Sequence, residues 1–124
     1  MARNASIDLV QSFLVVAEQL NFRRSAERMN LDQSALTRRI QKLEHQLGLR
    51  LLDRSTREVV LTPAGRSFYQ DNAHLMKRFR ETIEAARRIA DGKAGILRVA
   101  YMAFAATELM PRSVARFRAS HPYI

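Results

Sequence analysis

Apolar residues in the first fifty positions recur at helical spacing. Leu9, Phe13, Val16, Ala17 and Leu20 fall on one face of a predicted helix over roughly 7–20, since residues three and four apart share a side of a 3.6-residue turn. Asp8 adds negative charge to its first turn, where the helix dipole favours it, and Asn21-Phe22 are expected to close it. A short helix over about 23–29 follows, with Ala26 and Met29 facing inward. Asn30-Leu31-Asp32 makes a tight break, and Asp32 is a suitable N-cap for what comes next. The third helix is predicted from Gln33 to Leu47. Leu36, Ile40, Leu43 and Leu47 form one apolar stripe, and Gly48 supplies the stop.

The pattern then changes period. Leu51-Leu52 and Val59-Val60-Leu61 flank the polar run Asp53 to Glu58, which predicts a small two-stranded hairpin with an arginine-bearing tip. Thr62-Pro63-Ala64-Gly65 reads as a helix start, with Thr as N-cap and Pro in the first helical position. No breaker follows until about Asp91, so this helix would be about 40 Å long at ~1.5 Å per residue. Phe68, Leu75, Phe79, Ile83, Ala86 and Ala90 make a narrow apolar stripe along it. A stripe on a projecting helix needs a partner helix. Gly92-Lys93-Ala94-Gly95 is a flexible boundary. Beyond it, Ile96-Leu97-Arg98-Val99-Ala100-Tyr101 predicts a buried strand, and a loop over 102–107 leads to a helix at about 109–119. One strand and one helix cannot cover their own faces, so the chain is expected to carry only the beginning of an α/β domain.

Composition narrows the classes. The chain has 124 residues, enough for one domain core with an appendage. It has no cysteine, which removes disulfides, thiolate metal sites and thiol nucleophiles. Lys and Arg number 21 against 12 Asp and Glu, a net charge of +9, and such an excess points to a polyanionic partner. The longest unbroken apolar run, Val99 to Ala106, is far short of the ~18 residues of a membrane span. Polar residues interrupt the apolar N-terminus, so no signal peptide is read there, and the cytoplasm is the expected compartment. His45, His74 and His121 are too scattered for a metal triad. No Gly-rich phosphate loop is present. Neither an enzyme nor a bound cofactor is expected.

Helix, tight break, helix and arginine-tipped hairpin form a winged helix-turn-helix pattern. Gln33, Ser34, Thr37 and Arg38 lie near the start of the third helix, off its apolar stripe, where short polar side chains and Arg can read base edges in a major groove. Arg39 and Lys42 are expected at phosphates, and Arg54 and Arg57 at the flanking backbone or minor groove. The charge is not concentrated on the proposed reader: residues 66–124 carry 11 basic and 5 acidic groups, residues 1–65 carry 10 and 7. Locally the balance is better, with six basic against two acidic groups over 33–57. A different reading makes helix 63–91, with Lys77, Arg78, Arg80, Arg87 and Arg88, an interaction module for an acidic partner or a membrane surface. Its stripe is narrow for a membrane, and Asn72 interrupts it.

These motifs resemble, in order and spacing, the LysR-type transcriptional regulators. The resemblance runs through Phe13-x-x-Val16-Ala17-Glu18, Asn21-Phe22, Ser25-Ala26-Glu27-Arg28-Met29 and Gln33-Ser34-Ala35-Leu36-Thr37-Arg38. It continues through Ile40, Leu43-Glu44, Leu47-Gly48, Leu51-Leu52-Asp53-Arg54 and Leu61-Thr62-Pro63-Ala64-Gly65. Gly95 to Tyr101 resembles the first strand of the family's effector-binding domain, and Leu109-Met110-Pro111 the start of its first helix.

The resemblance implies a mainly α fold: a winged helix-turn-helix over 1–65, a dimerisation linker helix over 63–91, and at 92–124 a hinge with the first strand–helix unit of a periplasmic-binding-protein-like domain. It implies a homodimer on double-stranded DNA, reading an interrupted dyad with one recognition helix per half-site. The implied DNA contacts are Gln33, Ser34, Ala35, Thr37, Arg38, Lys42, Arg54 and Arg57, and the implied dimer interface is Phe68, Leu75, Phe79, Ile83 and Ala86. A tetramer and a small-molecule effector are implied only for a full-length protein. Three positions depart from the family's pattern. Arg23 stands where Ser or Thr usually caps the second helix, so that cap is lost or supplied by Asn21, leaving a weaker helix start or an added phosphate contact. Ser34 stands where Pro is frequent, and Phe104 where some members place a hydroxyl for the effector carboxylate.

Overall fold

The computed structural model describes residues 5–54 and 58–124. In chain order the elements are α1 (Ile7–Gln19), α2 (Phe22–Arg28), α3 (Gln33–Leu47), β1 (Leu52–Asp53), β2 (Val60–Leu61), α4 (Pro63–Ala90) and α5 (Leu109–Ser120), with a 3₁₀ turn at Ala103–Ala105. The chain divides into two compact units, Met1–Lys77 and Arg78–Ile124.

The first unit is organised around a small apolar core. Phe13 and Val16 of α1, Leu36, Ile40 and Leu43 of α3, and Leu51 and Leu52 at the start of the hairpin are fully buried. These are the stripe positions that the helical period selects. The Phe68 ring of α4 packs against Phe13 with centroids 5.6 Å apart and planes tilted by 60°, a geometry that suits the ring quadrupoles. Tyr69, Ala73 and Met76 also lie partly buried on this core, so the first unit extends to this point of α4.

Short connections are set by backbone chemistry. α1 ends earlier than the sequence suggests. Leu20 turns into the left-handed region (φ 47°) with its N–H on the Val16 carbonyl, and Phe22, expected to close α1, begins α2 instead. Asn21 supplies the cap that residue 23 does not: its side chain accepts from the Arg24 backbone N–H at 2.9 Å. Asn30 takes φ 54° in the break between α2 and α3, a conformation Asn tolerates better than most residues. Asp32 occupies the N-cap position of α3 but makes no side-chain cap bond; its carbonyl accepts from Leu36 N–H, and its carboxylate stays exposed. Gly48 closes α3 in the left-handed conformation (φ 71°), as predicted.

The hairpin is shorter than expected. Its strands are two residues each, antiparallel, with Leu52 opposite Leu61 and Asp53 opposite Val60. Residues 55–57 of the predicted tip, Arg57 among them, lie outside the described residues. Thr62 then does two jobs: its hydroxyl caps α4 by accepting from Gly65 N–H (2.9 Å) and donates to the Arg50 carbonyl (2.7 Å).

The second unit contains the later turns of α4, the 92–108 segment and α5. Arg88 O accepts from Lys93 and Ala94 N–H where α4 ends, and Gly92 has φ 69°. The strand predicted over Ile96 to Tyr101 is not formed. The described bridge in this region joins Ala94 to Tyr123 in parallel, with Gly95 N–H on the Tyr123 carbonyl at 3.1 Å. Among the described residues, no strand lies beside 96–101 to satisfy their backbone, so no ladder holds them. Helix α5 forms where predicted and runs one residue further, to Ser120.

Candidate nucleic-acid interface

Helix α3 presents two faces of opposite character. Burial of Leu36, Ile40 and Leu43 turns Gln33, Ser34, Arg38, Gln41 and Lys42 outward, where they are exposed. Ala35 and Thr37 are half-buried at the edges. The Thr37 hydroxyl donates back to the Gln33 carbonyl at 3.0 Å. Its proton is thereby committed within the helix, leaving the oxygen lone pairs and the methyl group for outside contacts. The structure therefore places five of the six predicted α3 positions along one outer surface from 33 to 38, with Lys42 a turn beyond. Ala35, Arg38 and Lys42 also line a cleft with Ser6, Asp8 and Leu9 at the start of α1.

Two arginines do not stand where the sequence suggests. Arg39, expected at a phosphate, is half-buried and points its Nη1 at the Ser12 hydroxyl (3.3 Å). Ser12 is itself buried in α1 and donates to the Asp8 carbonyl. Arg54, expected on the flanking DNA, is turned into the protein. Its guanidinium lies 4.9 Å from the centroid of the Phe22 ring, and Nη2 is 3.9 Å from Glu44 Oε2, with side-chain exposures of 26% and 13%. A ring face and a carboxylate both attract the cation more strongly in a half-dry site than bulk water would leave them to. Nε and Nη2 have no hydrogen-bond partner among the described residues.

Glu44 has a role that the sequence pattern does not assign. Its Oε1 accepts from Leu51 N–H (2.9 Å) and Leu52 N–H (3.1 Å). Those two amides start the hairpin, so a carboxylate of α3 fastens the wing to the reading helix. The sequence marks it by its place at the margin of the apolar stripe, one position after Leu43, and by the Leu43-Glu44 pair of the family pattern. Gly65 has a similar role: a Cβ there would collide with the Leu51 carbonyl oxygen, so the close approach of α4 to the hairpin requires glycine.

Along α4, Leu75 (59% exposed), Phe79 (44%) and Ile83 (37%) are uncovered apolar residues, with Ala86 exposed on the same stripe. Phe68, predicted to share an intermolecular interface with them, is instead partly buried against the chain's own core. Among the described residues, no helix is long and apolar enough to cross a membrane.

Three helices with an outward polar α3, followed by a hairpin strapped to it, define a winged helix-turn-helix protein. Comparison with known proteins makes the class specific. The sequence model described as "Bacterial regulatory helix-turn-helix protein, lysR family" matches residues 7–66. The HTH-type transcriptional regulator YnfL of Escherichia coli (strain K12), itself described as uncharacterized, is 35% identical over 120 residues, covering 96% of this chain and 40% of that protein. The crystal structure of CbnR, a LysR family transcriptional regulator, superposes with a TM-score of 0.84 at 32% identity, covering 96% of this chain and 41% of that one. The crystal structure of a BenM_DBD/catB site 1 DNA complex covers 71% of this chain and 95% of its own at 34% identity, with a TM-score of 0.69. The chain belongs to the LysR family of helix-turn-helix proteins. It spans about 40% of the length of the curated relatives it matches.

Proposed function

We propose that this chain is a sequence-specific DNA-binding transcriptional regulator that works as a homodimer, each α3 occupying one half-site of an interrupted dyad. The observation that carries the reading is the exposed polar face of α3, held rigid by the buried Leu36, Ile40 and Leu43 behind it. In this reading Gln33 donates to and accepts from base edges, and Arg38 donates to them. Ser34, Ala35 and Thr37 shape the contact surface, and Lys42 meets a phosphate. Arg57 is assigned to the flanking minor groove on the resemblance alone. The stripe Leu75, Phe79, Ile83 and Ala86 packs against its copy in a second chain. The relatives are regulators, including a family member solved on DNA, and none favours the interaction-module alternative for helix 63–91. A DNA reader of this class works in the cytoplasm. Effector binding and a tetramer belong to a full-length protein in this proposal.

The test is selection from a random duplex library, followed by sedimentation of the selected complex and a salt series. A selected dyad bound by two chains is the expected result. Strong salt dependence with no selected sequence would mean that the positive charge acts alone, and would overturn the proposal. Within a selected site, Gln33→Ala should relax the preference at one base pair, losing about 1–3 kcal/mol at the correct base. Unchanged relative affinities across single-base variants would remove Gln33 from the reading set.

A further inference from the structure

We infer that Arg23 grips a DNA phosphate beside the half-site read by α3, and that its neighbour Arg24 does not. The inference rests on the DNA-binding reading above, and three observations carry it. First, α2 is capped without help from residue 23: Asn21 Oδ1 accepts from the Arg24 backbone N–H at 2.9 Å. The side chain at 23 is thus released from the structural duty a capping residue would have there. Second, the Arg23 side chain is exposed and makes no hydrogen bond or ion pair among the described residues. Arg28, at the other end of the same helix, differs in spending its guanidinium on Glu18 at 2.8 Å. Third, Arg23 lines one cleft together with Gln33, the first residue of the reading helix. Arg24 is also exposed but does not line it, because one residue along a helix turns the side chain by ~100°.

The chemistry of that cleft suits a phosphate. A guanidinium presents a planar fork of N–H donors that matches two phosphate oxygens, and the Gln33 amide adds a neutral donor beside it. Glu58 lines the same cleft, so the phosphate sits on the Arg23–Gln33 side of it. In helix-turn-helix docking the first helix of the pair crosses the backbone while the second enters the groove. Arg23 stands on that first helix at the edge nearest the second. Its contact is with the backbone, so it adds affinity and register without sequence preference.

Salt dependence reads this directly, because each phosphate neutralised contributes about −0.9 to the slope of log K against log salt on duplex DNA. The experiment uses the whole chain on a fixed duplex from the selection and on scrambled duplexes. R23Q should reduce the magnitude of the slope by about 0.9, so that between ~50 and ~200 mM salt it loses about 3.5-fold less affinity than the parent. The weakening should be uniform across duplex sequences. R23K, which keeps the charge, should keep the parental slope, and R24Q should leave it unchanged. An unchanged slope for R23Q overturns the inference. So does a drop in R24Q as large as that in R23Q, which would mean a diffuse field and not a contact, or a loss confined to one base pair, which would mean base reading. A parent chain that binds no duplex at any salt is a different failure: it overturns the DNA-binding proposal itself and takes this inference with it.

Discussion

Arg54 illustrates how much a single side chain's neighbours decide. In sequence it is one of two arginines at a wing; in the structure it lies over the Phe22 ring and beside Glu44. Glu44 in turn holds the Leu51 and Leu52 amides, and both leucines are fully buried. Truncating the carboxylate leaves two amides without acceptors in a site that water enters poorly. Glu44→Ala should therefore cost about 1–3 kcal/mol, and Glu44→Gln, which keeps an acceptor oxygen, less than Glu44→Ala. Urea unfolding of the two variants checks the order; equal losses would show that the charge near Arg54 matters and the oxygen accepting from the two amides does not. Gly65→Ala is the second residue-scale prediction. The new methyl group would collide with the Leu51 backbone, not with a yielding side chain. A destabilisation of about 1–3 kcal/mol is expected, visible as a lower urea midpoint at unchanged slope. Neither effect was legible beforehand. The partners of Glu44 are backbone amides seven and eight residues away, and the reason for Gly65 is a carbonyl fourteen residues earlier. Sequence patterns mark which side chains are apolar, and say little about which backbone groups will face them.

Elements were legible in proportion to their own periodicity. α3 matches its predicted bounds at both ends, Gln33 and Leu47, because a three-turn stripe and a terminal glycine agree. α4 begins at Pro63 as Thr62-Pro63 implies, and ends one residue before the expected Asp91. The segment Ile96 to Tyr101 failed for the opposite reason. An apolar run specifies a strand only when another strand is present to pair with it, and that partner is a tertiary fact. The α4 stripe raises the prediction that belongs to this scale. Phe79 and Ile83 are exposed although a helix gains nothing by offering a phenyl ring and a branched aliphatic chain to water. If they meet their copies across a dimer axis, Phe79→Glu or Ile83→Glu buries like charges in that seam and should give monomers in sedimentation velocity. Helical circular dichroism should stay at the parental value, since neither residue belongs to the chain's own core. Dimers surviving both substitutions would place the interface elsewhere. Phe68→Glu should behave differently, because Phe68 packs on Phe13: it should lower the stability of the first unit as well.

At the scale of the whole chain the two units differ in how well they satisfy themselves. Met1–Lys77 buries a continuous apolar core, including all of Phe13, Leu36 and Ile40. Arg78–Ile124 has no fully buried residue among those described, and Ile96 is 85% exposed. Strands with apolar residues on both faces are stable only in sheets covered on both sides, and this chain spans only 40% of the relative YnfL. The energetic consequence is local. Opening a segment without paired amides costs nearly nothing, whereas opening α1 or α3 costs the stability of the core. Hydrogen exchange on the chain at low concentration should therefore show residues 96–101 exchanging as an unstructured peptide does. The amides of α1 and α3 should be protected by orders of magnitude. Protection at 96–101 that grows with chain concentration would mean that a second copy supplies the missing strand. Protection independent of concentration would mean that the segment pairs within its own chain, in a manner that the Ala94–Tyr123 bridge only begins. In either of these cases the apolar run would be a working strand at this length of chain. If exchange is fast, the apolar run by itself does not make a strand, and its pairing partner must come from elsewhere.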